Sequence, residues 1–137
     1  MSEETTVQPI QRPFSAAAAI SNHMVRLFAR YFGRGPTKAR TTLNTNIAVV
    51  TMAETMTRAE HNLVLAGEPE AVRTIRATLQ RTMRAEAVAA IEEILGRTVV
   101  AYMSDIDTGA NVAAVVFMLE PRAESGSVEV AESDGAL

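Results

Sequence analysis

The sequence contains no cysteine and no tryptophan among its 137 residues. Without thiols the chain can form no disulfide framework, thiolate zinc site, iron–sulfur cluster or cysteine nucleophile. It also has no run of about 18 apolar residues, so no segment is predicted to span a membrane. The acidic N-terminal residues are not followed by the apolar stretch of a secretory signal. We therefore expect a single cytoplasmic domain.

Basic residues are not in excess, and lysine is almost absent. The formal net charge is −3, and Lys38 is the only lysine beside twelve arginines. Most of the acidic excess lies after residue 120, which leaves the body of the chain close to neutral. A neutral body with few aromatic residues argues against nucleic-acid binding.

Groups suited to catalysis or metal binding are also few. The only two histidines, His23 and His61, lie outside any recognisable nucleophile motif. Asp105 and Asp107 lie two residues apart, but the other ligands of a calcium loop are missing at the required spacing. We expect no enzyme activity, no metal and no cofactor.

The hydrophobic pattern and the turn residues predict seven elements in the order α-β-β-α-α-β-β. Ser15 is a suitable N-cap for a helix to about Phe32, and Thr57 and Glu60 have capping-box spacing. The predicted elements after the first helix are strands at 38–43 and 47–53, a short helix to Gly67, a helix at 69–95, and strands at 97–105 and 111–120. This order predicts an α+β fold in two layers, with helices packed on a four-stranded, mostly antiparallel sheet.

The two ends of the chain differ from its centre. Residues 1–13 are polar and contain two prolines, which predicts a flexible arm before a single domain at 14–121. Residues 122–137 contain few large apolar groups, so we expect a disordered acidic tail.

The long helix carries apolar residues three or four positions apart, with arginines on its more polar sides. The stripe comprises Val72, Ile75, Leu79, Met83, Ala87, Ile91 and Ile94, and the arginines are Arg73, Arg76, Arg81 and Arg84. We expect a domain of this size to leave part of such a stripe uncovered, and we therefore predict a homo-oligomer, most simply a dimer.

The segment after the first helix joins glycines, a proline and several bases. Gly33 is predicted to end the helix, with Gly35 and Pro36 preventing it from resuming. Arg34, Lys38 and Arg40 could hold an anion, although a helix stop with surface bases explains the same residues. Gly96 repeats the Gly-Arg pattern after the long helix, which indicates either helix capping or an internal duplication.

These motifs resemble a small bacterial family named for MpsC, a component of a sodium-translocating, membrane-potential-generating system. The resemblance covers about residues 15–121. The residues that carry it are the run from Met24 to Phe28, Tyr31 to Ala39 with its Gly-Arg-Gly-Pro-Thr-Lys core, Leu43, Thr57 to Glu60, Leu95 to Arg97, Val100 to Asp105 and Val116 to Pro121.

The resemblance implies a soluble accessory or regulatory subunit of a cation-translocating or inorganic-carbon uptake system, associated peripherally with its membrane proteins. Arg34, Lys38, Arg58 and Asp105 match recurrent family motifs without an assigned role. A small anion- or nucleotide-binding regulatory module, using the Gly-Arg-Gly-Pro-Thr-Lys loop with Arg40, is the alternative.

Overall fold

The computed structural model describes residues 15–122 and 129–134, which form three helices and five strands. In chain order the elements are α1 (Ala16–Phe32), β1 (Lys38–Asn44), β2 (Ile47–Ala53), α2 (Arg58–Leu65), α3 (Pro69–Leu95), β3 (Val99–Asp107), β4 (Val112–Leu119) and β5 (Glu129–Asp134). The bounds of β2 and α3 coincide with those predicted from the sequence.

The sheet has the strand order β3-β4-β2-β1-β5, and every neighbouring pair is antiparallel. The predicted α+β class and antiparallel sheet are confirmed, but the predicted count of four strands is wrong. The additional strand, β5, pairs with β1 at the edge of the sheet.

Because β5 lies within the segment predicted to be a disordered tail, that prediction is wrong for residues 129–134. Composition predicted disorder because the segment buries little apolar area, but strand pairing needs only an available edge. Polar contacts add to the backbone ladder: Ser15 Oγ donates to the carboxylate of Glu129, and Ser21 Oγ donates to the carbonyl of Ala131. The rest of the predicted tail, 123–128 and 135–137, and the predicted arm at 1–13 lie outside the described residues.

The predicted helix ends are confirmed by their caps. The hydroxyl of Ser15 accepts a hydrogen bond from the backbone of Ala18 at 3.2 Å. Gly33 and Gly96 adopt left-handed backbone with φ of 77° and 65°, a region that costs glycine little. Gly35 and the buried Pro36 then connect α1 to β1.

One face of the sheet is covered by helices. Buried and more exposed residues alternate along β1, β2 and β4. Helix α1 packs on β1 and β5, α3 packs on β3, and the two helices pack against each other. The core between the layers includes Ile20, Met24, Phe28, Val50, Met52, Met83, Ile91, Val115 and Phe117.

The buried face of α3 differs from the predicted stripe in the first half of the helix. Ile75 is 44% exposed, whereas Arg76 and Gln80 are buried together with Val72. The second half follows the prediction at Met83, Ala87 and Ile91. The difference arises because Arg76 turns inward to an acidic partner on α2, which periodicity of apolar residues cannot reveal.

Candidate functional site

A buried ion pair joins α2 to α3. Arg76 is 3% exposed and Glu60 6%. Arg76 Nε donates to Glu60 Oε2 at 2.8 Å, and Arg76 Nη2 donates to Oε1 at 2.7 Å. This two-pronged arrangement satisfies both carboxylate oxygens and fixes the relative position of the helices.

The remaining polar atoms of the pair are also satisfied. Arg76 donates from Nη1 to Thr55 Oγ1 at 3.1 Å and from Nη2 to the carbonyl of Thr55 at 2.8 Å. Its guanidinium lies 4.1 Å from the ring centre of Phe32, near the end of α1. The backbone N–H of Thr57 donates to Glu60 Oε1 at 2.8 Å, and Thr57 Oγ1 accepts from the backbone of Glu60, which confirms the predicted capping box.

These contacts determine the ionisation of Glu60. Burial alone raises the pKa of a carboxyl group, but the hydrogen bonds from Arg76 and Thr57 outweigh it. The pKa of Glu60 is therefore below its ordinary value, and the group is charged in the folded protein.

Next to this ion pair, two residues with left-handed backbone conformation connect the loop after β2 to the β3–β4 turn. Glu54 and Asn111 have φ of 59° and 57°, although neither is glycine. The backbone N–H of Glu54 donates to the carbonyl of Asn111 at 2.8 Å, and Asn111 Oδ1 accepts from the backbone of Met56 at 3.1 Å. Such a conformation is unfavourable for glutamate and persists only where its surroundings hold it. The contacts between the two residues hold the loop after β2 against the β3–β4 turn.

A surface cleft of about 630 Å³ opens beside this locked loop. It is lined by Arg34, Glu54, Met56, Thr57, Arg58, His61, Asn62, Ala110 and Asn111. The side chain of Arg34 is positioned by a hydrogen bond of 3.1 Å from Nε to the carbonyl of Glu54. The structure thus brings together two of the predicted site residues, Arg34 from the loop after α1 and Arg58 from the start of α2.

Three of the residues that line the cleft carry side-chain hydrogen-bond donors suited to an anion. Arg34 and Arg58 provide guanidinium groups, and the amide of Asn62 lies one turn further along α2. The N-cap and first residue of α2, Thr57 and Arg58, line the same cleft, and a helix N-terminus carries the positive end of the helix dipole. Glu54 is the one carboxylate among the lining residues. Chemically, this arrangement suits the binding of an anionic group by bidentate contacts.

The other three predicted site residues do not line this cleft. Lys38 is exposed at the start of β1, and Arg40 Nη1 lies 3.0 Å from Glu132 Oε2 on β5. Asp105 is on β3, where its Oδ1 lies 3.9 Å from Arg73 Nη1. Arg34, Lys38 and Arg40 were predicted to form one anion site. The fold places Arg34 at the cleft and the other two on strand β1.

Asn62, Asn111 and the buried position of Arg76 were not predicted from the sequence, and Glu54 was considered only as a further ligand for a cation site at Asp105 and Asp107. For Asn111 a signal exists, because asparagine is among the few residues that enter left-handed backbone readily. Position 54 offers no comparable indication. Within residues 15–122 and 129–134, no group of three or more His, Cys, Asp or Glu residues could hold a metal ion.

Comparison with known families identifies the chain. The family model described as the Na⁺-translocating membrane potential-generating system (MpsC) matches residues 15–121. The chain belongs to the MpsC family. The resemblance seen in its motifs is thereby confirmed, and the match includes every element from α1 to β4. No curated protein and no solved structure matches the chain.

The family is described as a membrane potential-generating system, so the question arises whether any helix of this chain could cross a membrane. Among the residues described here, no helix has both the length and the apolar character needed to cross a membrane. Helix α3, the longest, has 27 residues and includes charged residues along its length.

Proposed function

We propose that this MpsC-family protein is a non-enzymatic accessory or regulatory subunit of a sodium-translocating system, acting at the cytoplasmic side of its membrane components. The observation that carries the proposal is the family match over residues 15–121. The proposal includes a role in inorganic-carbon uptake, which the family resemblance also implies.

The cleft on the surface of the domain supports the proposal that the protein acts by binding a partner. The cleft is lined by guanidinium and amide groups beside the carboxylate of Glu54, and the hydrogen bond from Glu54 to Asn111 holds the loop after β2 against the β3–β4 turn. A subunit of this kind regulates by binding differently to two states of its partner.

The proposal is tested by measuring whether the protein associates with membrane proteins in the cells that naturally produce it. Affinity-tagged protein, cross-linked in living cells, is expected to recover membrane components of the transport system. The paired variant Arg34→Ala/Arg58→Ala is expected to recover less of them, whereas Arg81→Ala/Arg84→Ala on the exposed side of α3 provides a matched control of equal charge. Repeated recovery of no transport component by the unchanged chain contradicts the proposal.

A second candidate function is a small anion-binding or nucleotide-binding module. The convergence of Arg34 and Arg58 on one cleft favours it. Lys38 and Arg40, predicted from the same loop, lie elsewhere, so this candidate rests on the cleft rather than on the Gly-Arg-Gly-Pro-Thr-Lys run alone. Such a module and an accessory subunit are compatible, since the anion would then be the regulatory ligand.

Thermal unfolding in the presence of phosphate, ATP or bicarbonate tests this candidate. A ligand at 100 times its dissociation constant is expected to stabilise the folded state by about 2.7 kcal/mol and to raise the melting temperature. Arg34→Ala/Arg58→Ala is expected to abolish the rise, while Arg81→Ala/Arg84→Ala retains it. An equal response from the two paired variants, or none from the unchanged chain, argues against an anion site in the cleft.

A further inference from the structure

The charged side chains of the cleft are unpaired, unlike several arginines elsewhere in the chain. Arg30 and Arg40 each form an ion pair with a glutamate from another element. In the part of the chain that the structure describes, the guanidinium of Arg58 and the carboxylate of Glu54 form no hydrogen bond or ion pair. Among the same residues, the side chain of Arg34 bonds only through Nε, to the carbonyl of Glu54, which leaves its two terminal amino groups free. Two positive groups and one negative group therefore line one cleft without binding each other.

The backbone at Glu54 holds this arrangement in place. Its N–H donates to the carbonyl of Asn111 at 2.8 Å, and its carbonyl accepts from Arg34 Nε at 3.1 Å. Its φ of 59° is a left-handed conformation that glycine or asparagine adopts at a lower cost than glutamate. Strained backbone of this kind is concentrated at functional sites. What glutamate adds here, and glycine would not, is a carboxylate in the lining of the cleft.

The three side chains require different hydrogen-bonding partners. A guanidinium group has only donors, and a carboxylate has only acceptors. A ligand that satisfies Arg34, Arg58 and Glu54 together therefore needs negatively charged oxygen atoms and also a hydroxyl group. An oxyanion that carries a proton provides both in one small group, because its bare oxygens can accept from the arginines while its hydroxyl donates to the glutamate.

We propose that the cleft binds an oxyanion that keeps one proton near neutral pH, the chemical class that includes hydrogen phosphate and hydrogen carbonate. Arg34 and Arg58 donate to its unprotonated oxygens, and the carboxylate of Glu54 accepts a hydrogen bond from its hydroxyl. The proposal rests on the second candidate function, the anion-binding module, and adds to it the chemical class of the ligand.

Glu54 also determines which anions the cleft excludes. Sulfate resembles hydrogen phosphate in shape and charge, and nitrate resembles hydrogen carbonate, but neither sulfate nor nitrate carries a proton near neutral pH. In the cleft, an oxygen of sulfate or nitrate would lie against the carboxylate of Glu54 with no hydrogen atom between them, and the two negative charges repel each other. We expect the protonated member of a pair to bind at least about tenfold more tightly, the low end for a hydrogen bond to a charged group.

Titration of the full chain, followed by nuclear magnetic resonance, tests the proposal. The four anions are added separately at mildly alkaline pH and constant ionic strength, where phosphate is mainly the dianion that keeps one proton. The backbone amide shifts of Arg58 and Asn62, at the cleft, give the dissociation constants. Phosphate over sulfate tests the tetrahedral class, and hydrogen carbonate over nitrate tests the planar class. A preference of at least about tenfold in either pair supports the proposal.

Variants with the same change of charge locate the origin of the preference. Glu54→Gln replaces the carboxylate by an amide that can donate to any of the four anions, so it is expected to bind them without discrimination. Glu54→Asn, which suits the left-handed backbone better, is expected to give the same result. Glu68→Gln, at an exposed position outside the lining of the cleft, is the control and is expected to keep the preference. The spectra also show whether each variant is folded.

The outcomes distinguish this inference from the anion site itself. If none of the four anions binds, the anion-binding module and the inference both fail. If the unchanged chain binds neither protonated anion more tightly than its matched partner, the cleft remains an anion site and the inference is wrong. The same conclusion follows if Glu54→Gln and Glu54→Asn discriminate between the anions as the unchanged chain does.

Discussion

Replacing Arg76 by alanine is expected to lower the free energy of unfolding by about 3–5 kcal/mol, because it leaves the carboxylate of Glu60 buried without its partner. Arg76 is 3% exposed and supplies four hydrogen bonds to Glu60 and Thr55. Its removal also takes the guanidinium from the ring of Phe32. Chemical denaturation followed by circular dichroism measures the loss.

Two further variants separate the buried charge from the loss of side-chain volume. Arg81→Ala removes an exposed arginine from the same helix and should change the free energy of unfolding by no more than about 0.5 kcal/mol. Arg76→Met combined with Glu60→Gln should be less destabilising than Arg76→Ala, since no unpaired charge remains. A loss below about 1 kcal/mol for Arg76→Ala would contradict the role of the ion pair.

The same ion pair makes the free energy of unfolding depend on pH in the acidic range. Because the pKa of Glu60 is lower in the folded protein than in the unfolded chain, its contribution is fully present above the unfolded value. The contribution is lost as the pH falls through the lower pKa of the folded state. Glu60→Gln should therefore reduce the loss of stability below about pH 4.5, the ordinary value for this group.

Phe28→Ala is expected to cost about 3–5 kcal/mol through the cavity that it leaves in the core. Phe28 is 0% exposed, and its ring centre lies 4.9 Å from that of Phe32. Since Phe32 also contacts Arg76, the substitution loosens the packing that joins α1 to the buried ion pair. The free energy of unfolding, measured by denaturant titration, is the readout.

A graded series checks the origin of this effect. Phe28→Leu retains much of the apolar volume and should cost less than Phe28→Ala. Arg26→Ala, on the exposed side of the same helix, should have little effect. If Phe28→Leu and Phe28→Ala are equally destabilising, the residual cavity does not explain the loss.

The elements that local chemistry specifies could be predicted from the sequence. Ser15 and the Thr57–Glu60 pair mark where helices begin, and Gly33 and Gly96 mark where they end. Each of these acts through hydrogen bonds or backbone angles within a few residues. Helix α3, which begins at Pro69 and ends before Gly96, was predicted with its correct bounds, and so was strand β2 from its apolar residues.

Contacts between distant residues could not be predicted in this way. The inward side chain of Arg76 depends on Glu60, sixteen positions away and on another helix. Strand β5 depends on the free edge of β1 rather than on its own composition. For the candidate site, Arg34 and Arg58 were predicted from motifs, but Asn111 joins them only through the fold.

The position of β5 also affects how the protein is made. Arg40 on β1 and Glu132 on β5 are 92 positions apart, so a chain growing at about 5–20 residues per second takes roughly 5 to 20 s to synthesise the segment between them. During that interval the edge of β1 that later pairs with β5 lacks this strand, and an unpaired strand edge is open to pairing with another chain. The sheet is therefore completed only after the ribosome has synthesised β5, the last of its five described strands.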